Sequence, residues 1–215
     1  MKKYQVQQGD TLSGIAKREY GDPNLYPVIA LQNHLANPDL IQIGQELLVP
    51  YVTRRHLVTQ DDSTAMRQQI TQKYYGTHDT NTQLIWEIVN GVAQRPIQRG
   101  AWLLIPDLAD VGHHTVVENE PLAELAFRWY GDEHLGIVIA LANHLDLGTE
   151  PEIGHVLIVP GLNRRAEVRG DTLRTMCREQ YGSFDLDTRV AVAAAANHIT
   201  DPDRLFSRQV VYFPS

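Results

Sequence analysis

The sequence predicts an α+β chain of four tandem βααβ units, each a two-stranded antiparallel sheet with two helices on one face. Three observations predict it. An aromatic–glycine pair recurs as Tyr20-Gly21, Tyr75-Gly76, Tyr130-Gly131 and Tyr181-Gly182. An asparagine follows each pair, at Asn33, Asn90, Asn143 and Asn197. A short apolar run then closes on Pro50, Pro106, Pro160 or Pro214, in steps of 56, 54 and 54 residues. Self-similarity at a fixed period sets the architecture before any local reading. The copies span residues 1–50, 56–106 (diverged), 114–160 (acidic) and 166–215.

Copy one shows the elements most clearly. Lys3-Tyr4-Gln5-Val6-Gln7 alternates polar with apolar, a short strand signal. Gly9-Asp10-Thr11 breaks the strand, and Asp10 or Thr11 can cap a helix whose first amides lack partners. Leu12, Ile15, Ala16 and Tyr20 follow at helical spacing as one apolar stripe. Gly21-Asp22-Pro23 ends that helix. A second helix runs from about Asn24 to Asn33, and Asn37-Pro38-Asp39 is turn chemistry. Ile43-Gly44-Gln45 leads into the strand Glu46–Val49, and Pro50 stops the ladder. A lone short strand is unstable, so the two end strands are expected to pair. Their pairing sets the loop after the first strand beside the loop before the last.

Units of about 50 residues bury little surface and are marginal alone. The connectors Tyr51–Arg55, Asp107–His113 and Gly161–Arg165 are short, so a mutually packed array is expected. The net charge is −7, but residues 107–160 hold ten acidic residues against Arg128 alone. No basic footprint suits nucleic acid as the main ligand. The single cysteine, Cys177, excludes a disulfide framework and a cysteine-rich metal site. It takes the place of Ala16 and Ala126, which reads as a small core position. Met1-Lys2-Lys3 is followed by no apolar stretch of the kind that marks a secretion signal, so synthesis in the cytoplasm is expected. No segment is long enough to span a membrane.

Gly9-Asp10-Thr11-Leu12-Ser13-Gly14-Ile15-Ala16, Tyr20-Gly21-Asp22, Asn33, Gly44-Gln45 and Leu47-Leu48-Val49-Pro50 resemble a LysM (lysin motif) domain. Copy four repeats the opening as Gly170-Asp171-Thr172-Leu173, and copy three keeps its spacing as Asn119-Glu120-Pro121-Leu122. The resemblance implies binding of N-acetylglucosamine glycans, such as peptidoglycan or chitin, in the groove between the two adjacent loops. Carried onto copy one, it implies Gly9, Asp10, Thr11 and Leu12 from one loop, and Asp39, Leu40, Ile41 and Gln42 from the other. In copy four it implies Gly170, Asp171, Thr172 and Leu173. The closing loops of copies two and four, Arg99-Gly100-Ala101 and Ser207-Arg208-Gln209, depart from the family pattern, so one competent groove at most is expected.

The Tyr-Gly-Asp form also resembles LysM proteins of phage tails. With no secretion signal read, close-packed copies, lopsided charge and degraded grooves, it favours a structural adaptor of a contractile tail, phage baseplate or related injection particle. The expected partners are tube, sheath, spike or baseplate subunits. The alternative is a peptidoglycan- or chitin-type glycan binder. A third reading is an accessory that targets a hydrolase to the wall. No cofactor, catalytic residue or metal site is indicated, and the chain is expected not to be an enzyme. After synthesis, the adaptor reading places it in the virion or injection particle.

Overall fold

In a computed structural model, residues 2–118, 120–146 and 148–215 are described. Met1, Asn119 and Leu147, which fall within the predicted copies one and three, lie outside the described residues. In chain order the elements are β1 (Lys2–Gln5), α1 (Leu12–Tyr20), α2 (Tyr26–Gln32) and β2 (Glu46–Val49). Next come β3 (Arg54–Leu57), α3 (Thr64–Tyr75), α4 (Thr80–Val89) and β4 (Trp102–Ile105). Then follow β5 (Asp107–Thr115), α5 (Leu122–Tyr130), α6 (Gly136–Ala142) and β6 (Val156–Gly161). The last are β7 (Arg164–Glu167), α7 (Leu173–Tyr181), α8 (Leu186–Ala196) and β8 (Val210–Phe213). The fold is mixed α+β, and its sheets among the described residues are small antiparallel pairs: β1–β2, β3–β4, β5–β6 and β7–β8.

Local chemistry fixes the helix ends. Thr11, rather than Asp10, caps α1 by accepting the Gly14 N–H at 3.0 Å. Ser63 and Thr172 cap α3 and α7 in the same way. Gly21, Gly76 and Gly131 end α1, α3 and α5 in the left-handed region, at φ 80, 68 and 73°. His34, His144 and His198 sit just past α2, α6 and α8 at φ 51, 54 and 54°, where Gly91 serves after α4 at 66°. The recurrent histidine therefore marks a chain reversal at a helix end.

Both recurrent polar signatures fasten the last strand. The hydroxyls of Tyr20, Tyr75, Tyr130 and Tyr181 donate to the carbonyls of Pro50, Pro106, Pro160 and Pro214, at 2.6–2.9 Å. Asn33 donates to the carbonyls of Ile29 and Leu48 and accepts the Leu48 N–H. Asn90, Asn143 and Asn197 repeat this three-bond bridge to Leu104, Ile158 and Tyr212. A strand in a two-stranded sheet has one edge without a strand partner, and the asparagine satisfies part of that edge.

The chain forms two compact bodies. One comprises residues 1–52 together with 163–215, and the other residues 53–162. In the first, α2 packs on α8, and Val192 and Ala196 join the core of Leu12, Ile15, Tyr20, Leu25, Val28, Ile29 and Leu47. The alanines of α8 present little bulk, so its backbone can approach α2 closely. In the second body α4 packs on α6. There Trp86 is fully buried, and its indole N–H donates to Thr71 Oγ1 at 3.0 Å. Cys177 is fully buried beside Leu173 and Met176. Burial pushes its thiol up to about 11, in keeping with a core role.

Candidate functional site

In copy one the ladder continues one residue past β1 and β2. The Val6 N–H donates to Gln45 O at 2.9 Å, and the Gly44 N–H to Val6 O at 2.8 Å. This extension sets the loop over residues 7–11 beside the loop over residues 39–44. Gly9 and Thr11 are exposed on the first loop, and Asp39, Leu40 and Gln42 on the second. Leu40 is 71% exposed, an apolar side chain offered to solvent beside the groove. Ile41 packs against the core, and Leu12 is 2% exposed within it. Leu12 therefore offers its backbone amide, not its side chain, to any ligand. Among the described residues that amide has no hydrogen-bond acceptor.

Asp10 is committed to the loop itself. Its carboxylate accepts the Tyr4 hydroxyl at 2.6 Å and the Gln7 N–H at 2.8 Å, with Arg18 at 3.5 Å. The Tyr4 hydroxyl, then the Gln7 amide, hold its pKa below the ordinary value. Glu120 does the same in copy three, where it accepts the Val117 N–H at 3.0 Å and meets His114 Nε2 and Arg128 at 2.7 Å each. The Val117 amide is the largest influence holding its pKa down to about 2. In copy two Asp62 fills this place, bound by both ends of the Arg67 guanidinium at 2.8 and 2.7 Å and accepting the Ile97 N–H at 3.0 Å.

The grooves differ in what fills them. In copy two Arg67 lies between the loops, donating to Asp62 on one side and to the carbonyls of Val92 and Arg95 on the other. In copy three Glu150 reaches across from the closing loop and accepts the Leu122 N–H at 2.9 Å, the amide equivalent to that of Leu12. In copy four Pro202 O takes the Leu173 N–H at 3.0 Å. Beside that contact lies a cavity of about 490 Å³ lined by Arg169, Gly170, Asp171, Thr172, Leu205 and Arg208 among others. Gly170, Asp171 and Thr172 thus come together with the closing loop, whereas Leu173 is buried.

Sequence reasoning missed Arg169, Leu205 and Arg208. Arg208 stands where the other copies have Gly44, Gly100 and Gly154, a departure that reads as loss of the loop. The loop is intact: Arg208 takes φ 66°, and its N–H donates to Val168 O at 2.9 Å, as each glycine does to its equivalent valine.

The Asp62–Arg67 pair carries a pH dependence. Arg67 is the largest influence lowering the Asp62 pKa from 3.8 to about 2. A depressed carboxylate pKa contributes stability that is complete above the unfolded value and lost as the pH falls through the folded one. The melting-temperature gap between wild type and Asp62→Asn should hold steady above pH 4 and close as the pH falls towards 2, measured by calorimetry. A gap that stays constant down to pH 2 would refute the assignment.

The LysM domain model matches residues 4–50. Esterase Rv1288 of Mycobacterium tuberculosis is 34% identical over 157 residues, covering 72% of this chain and 32% of that protein. Potassium binding protein Kbp of Escherichia coli O6:H1 is 49% identical over 49 residues, 22% of this chain and 33% of that protein. The crystal structure of the Bacillus cereus spore cortex-lytic enzyme SleL is 23% identical, covers 48% of this chain and 22% of its own, and superposes with a TM-score of 0.21. The chain therefore spans about a third of the length of the esterase it matches.

These findings correct two expectations. The chain was expected not to be an enzyme; the esterase relatives, matched over 72% of its length, overturn that. The baseplate adaptor, with its tube, sheath and spike partners, finds no support in these relatives, which favour the glycan-binding alternative. The family match covers the first predicted copy alone, so one LysM domain is shown and the expected four tandem repeats are not. Residues 4–50 of this chain, with strands paired and two loops laid side by side, are a LysM domain.

Proposed function

We propose that the chain is the glycan-binding array of a cell-wall-acting, esterase-type enzyme, and that it holds that activity on peptidoglycan or a related N-acetylglucosamine polymer. The observation that carries this reading is the LysM domain at residues 4–50, whose adjacent loops leave the Leu12 amide open beside exposed Leu40. Copies two to four are read as LysM-type units on the same plan. The repeated strand pairing, tyrosine–proline bond and asparagine bridge support that reading. Within copy one, the Leu12 amide and the exposed backbone of Gly9 and Thr11 face acetamido groups, while Leu40 meets the apolar face of a sugar. Asp10 shapes the loop. The esterase relatives support the enzymatic part of the proposal. A shallow site of this kind is weak singly, and a second site on the same chain raises the retention on a polymer.

Co-sedimentation with purified peptidoglycan tests the reading. The wild-type chain should pellet with the wall, and Leu40→Ser should lower retention by about tenfold, the effect of losing roughly 1.4 kcal/mol of contact. Wild-type protein that stays in solution with both peptidoglycan and chitin would overturn it.

A further inference from the structure

The cavity of copy four differs from the groove of copy one in kind. Its lining includes two basic residues, Arg169 and Arg208, with the acidic residues Glu167, Asp171 and Asp203. The first loop differs as well. Val168 and Leu173 are five positions apart, where Val6 and Leu12 are six, so the loop is one residue shorter. Position 166 is alanine where copy one has Tyr4, the donor to Asp10. Asp171 thus lacks the ring partner that holds Asp10 and Glu120 within their own loops, and it lines the cavity instead. Arg208 completes the picture. It holds a left-handed backbone that glycine adopts freely, and that glycine does adopt in the other three copies. A side chain kept in such a conformation in the lining of a cavity points to a function there.

Resting on the glycan reading above, we infer that copy four is a charge-reading subsite that takes a saccharide bearing a carboxylate, with Arg208 and Arg169 as its specificity-determining residues. A guanidinium binds a carboxylate through two parallel, charge-assisted N–H bonds, each roughly twice as strong as a bond to the neutral hydroxyls that other sugars offer. Asp171 and Asp203 accept hydroxyl and amide donors of the same ligand. With three acidic residues beside two basic ones in its lining, the cavity does not attract simple anions over distance. It selects a ligand that offers donors and a carboxylate together. No ion pair among the described residues uses Arg169 or Arg208, so both are available to a ligand.

Titration calorimetry of the full chain with two soluble tetrasaccharides tests this. One is chitotetraose, which is neutral; the other is a peptidoglycan tetrasaccharide whose alternate sugars carry a lactyl carboxylate. The wild type should prefer the acidic ligand by about tenfold or more, as a hydrogen bond to a charged group allows. Arg208→Gly, which restores the residue of the other copies and so preserves the fold, should abolish most of that preference. Arg169→Gln should weaken it. Equal affinity for both ligands, or a preference that survives Arg208→Gly combined with Arg169→Gln, overturns the inference while leaving glycan binding in place. Binding of neither ligand by the wild type overturns the glycan reading itself.

Discussion

Arg67→Met should destabilise copy two by about 3 kcal/mol, the low end of the cost of stranding the partners of a largely buried ion pair. The Arg67 side chain is 15% exposed, and those of its partners Asp62 and Glu87 are 19% and 7% exposed. It also donates to the carbonyls of Val92 and Arg95, at 3.0 and 2.8 Å. One side chain thereby joins the opening loop, α4 and the closing loop. Methionine keeps the stem but leaves two carboxylates without their cation. Repulsion between those carboxylates adds to the cost, so Arg67→Met combined with Glu87→Gln should recover part of the loss. The two bodies need not unfold together, so a local readout is preferable to a single melting curve. The Ile97 amide donates to Asp62, and its hydrogen exchange should accelerate by about a hundredfold, the equivalent of roughly 3 kcal/mol at a factor of ten per 1.4 kcal/mol. An unchanged exchange rate would show that the loops hold each other without Arg67.

The same arginine shows what the sequence reveals and what it hides. The helices of copy one are legible because their signals are local: a Thr11 cap, an apolar stripe and Gly21 at the end. The loops named as a groove in copy one are likewise drawn together by the pairing of β1 with β2. The role of Leu12 is less legible. Spacing places it in the loop, but burial at 2% leaves it only its amide to offer. What fills each groove depends on contacts between residues far apart in the chain. Arg67 lies 28 residues from Arg95, and Glu150 lies 28 from Leu122. No local pattern announces either contact. Arg208 shows the opposite error. The missing glycine reads as a broken loop because the sequence shows the cost of a left-handed arginine but not the cavity beside it. The pairing of α2 with α8 escapes local reading for the same reason, since it joins the two ends of the chain.

Asn143→Leu should cost about 2 kcal/mol, the effect of leaving partly buried backbone groups without partners. The side-chain amide donates to Ile139 O at 2.9 Å and to Ile158 O at 2.8 Å, and its oxygen accepts the Ile158 N–H at 2.7 Å. Leucine matches the volume but makes none of these bonds. Aspartate separates the two halves of the bridge. It can accept the Ile158 N–H, but it turns a carboxylate oxygen towards two carbonyls that the amide N–H groups had served. Asn143→Asp should therefore be at least as damaging as Asn143→Leu at neutral pH, and it should recover as the pH falls and the carboxyl gains a proton to donate. Chemical denaturation of the two variants at pH 7 and pH 4 separates these outcomes. If Asn143→Asp proves benign at pH 7, acceptance of the Ile158 N–H is the dominant bond and the two donations matter little. If both variants are benign, the edge of β6 is satisfied by solvent, and the recurrence of asparagine at residues 33, 90, 143 and 197 needs a cause other than stability. The expected result makes asparagine the one side chain that can donate to a helix end and a strand while accepting from that strand, with a rigid stem short enough to hold both.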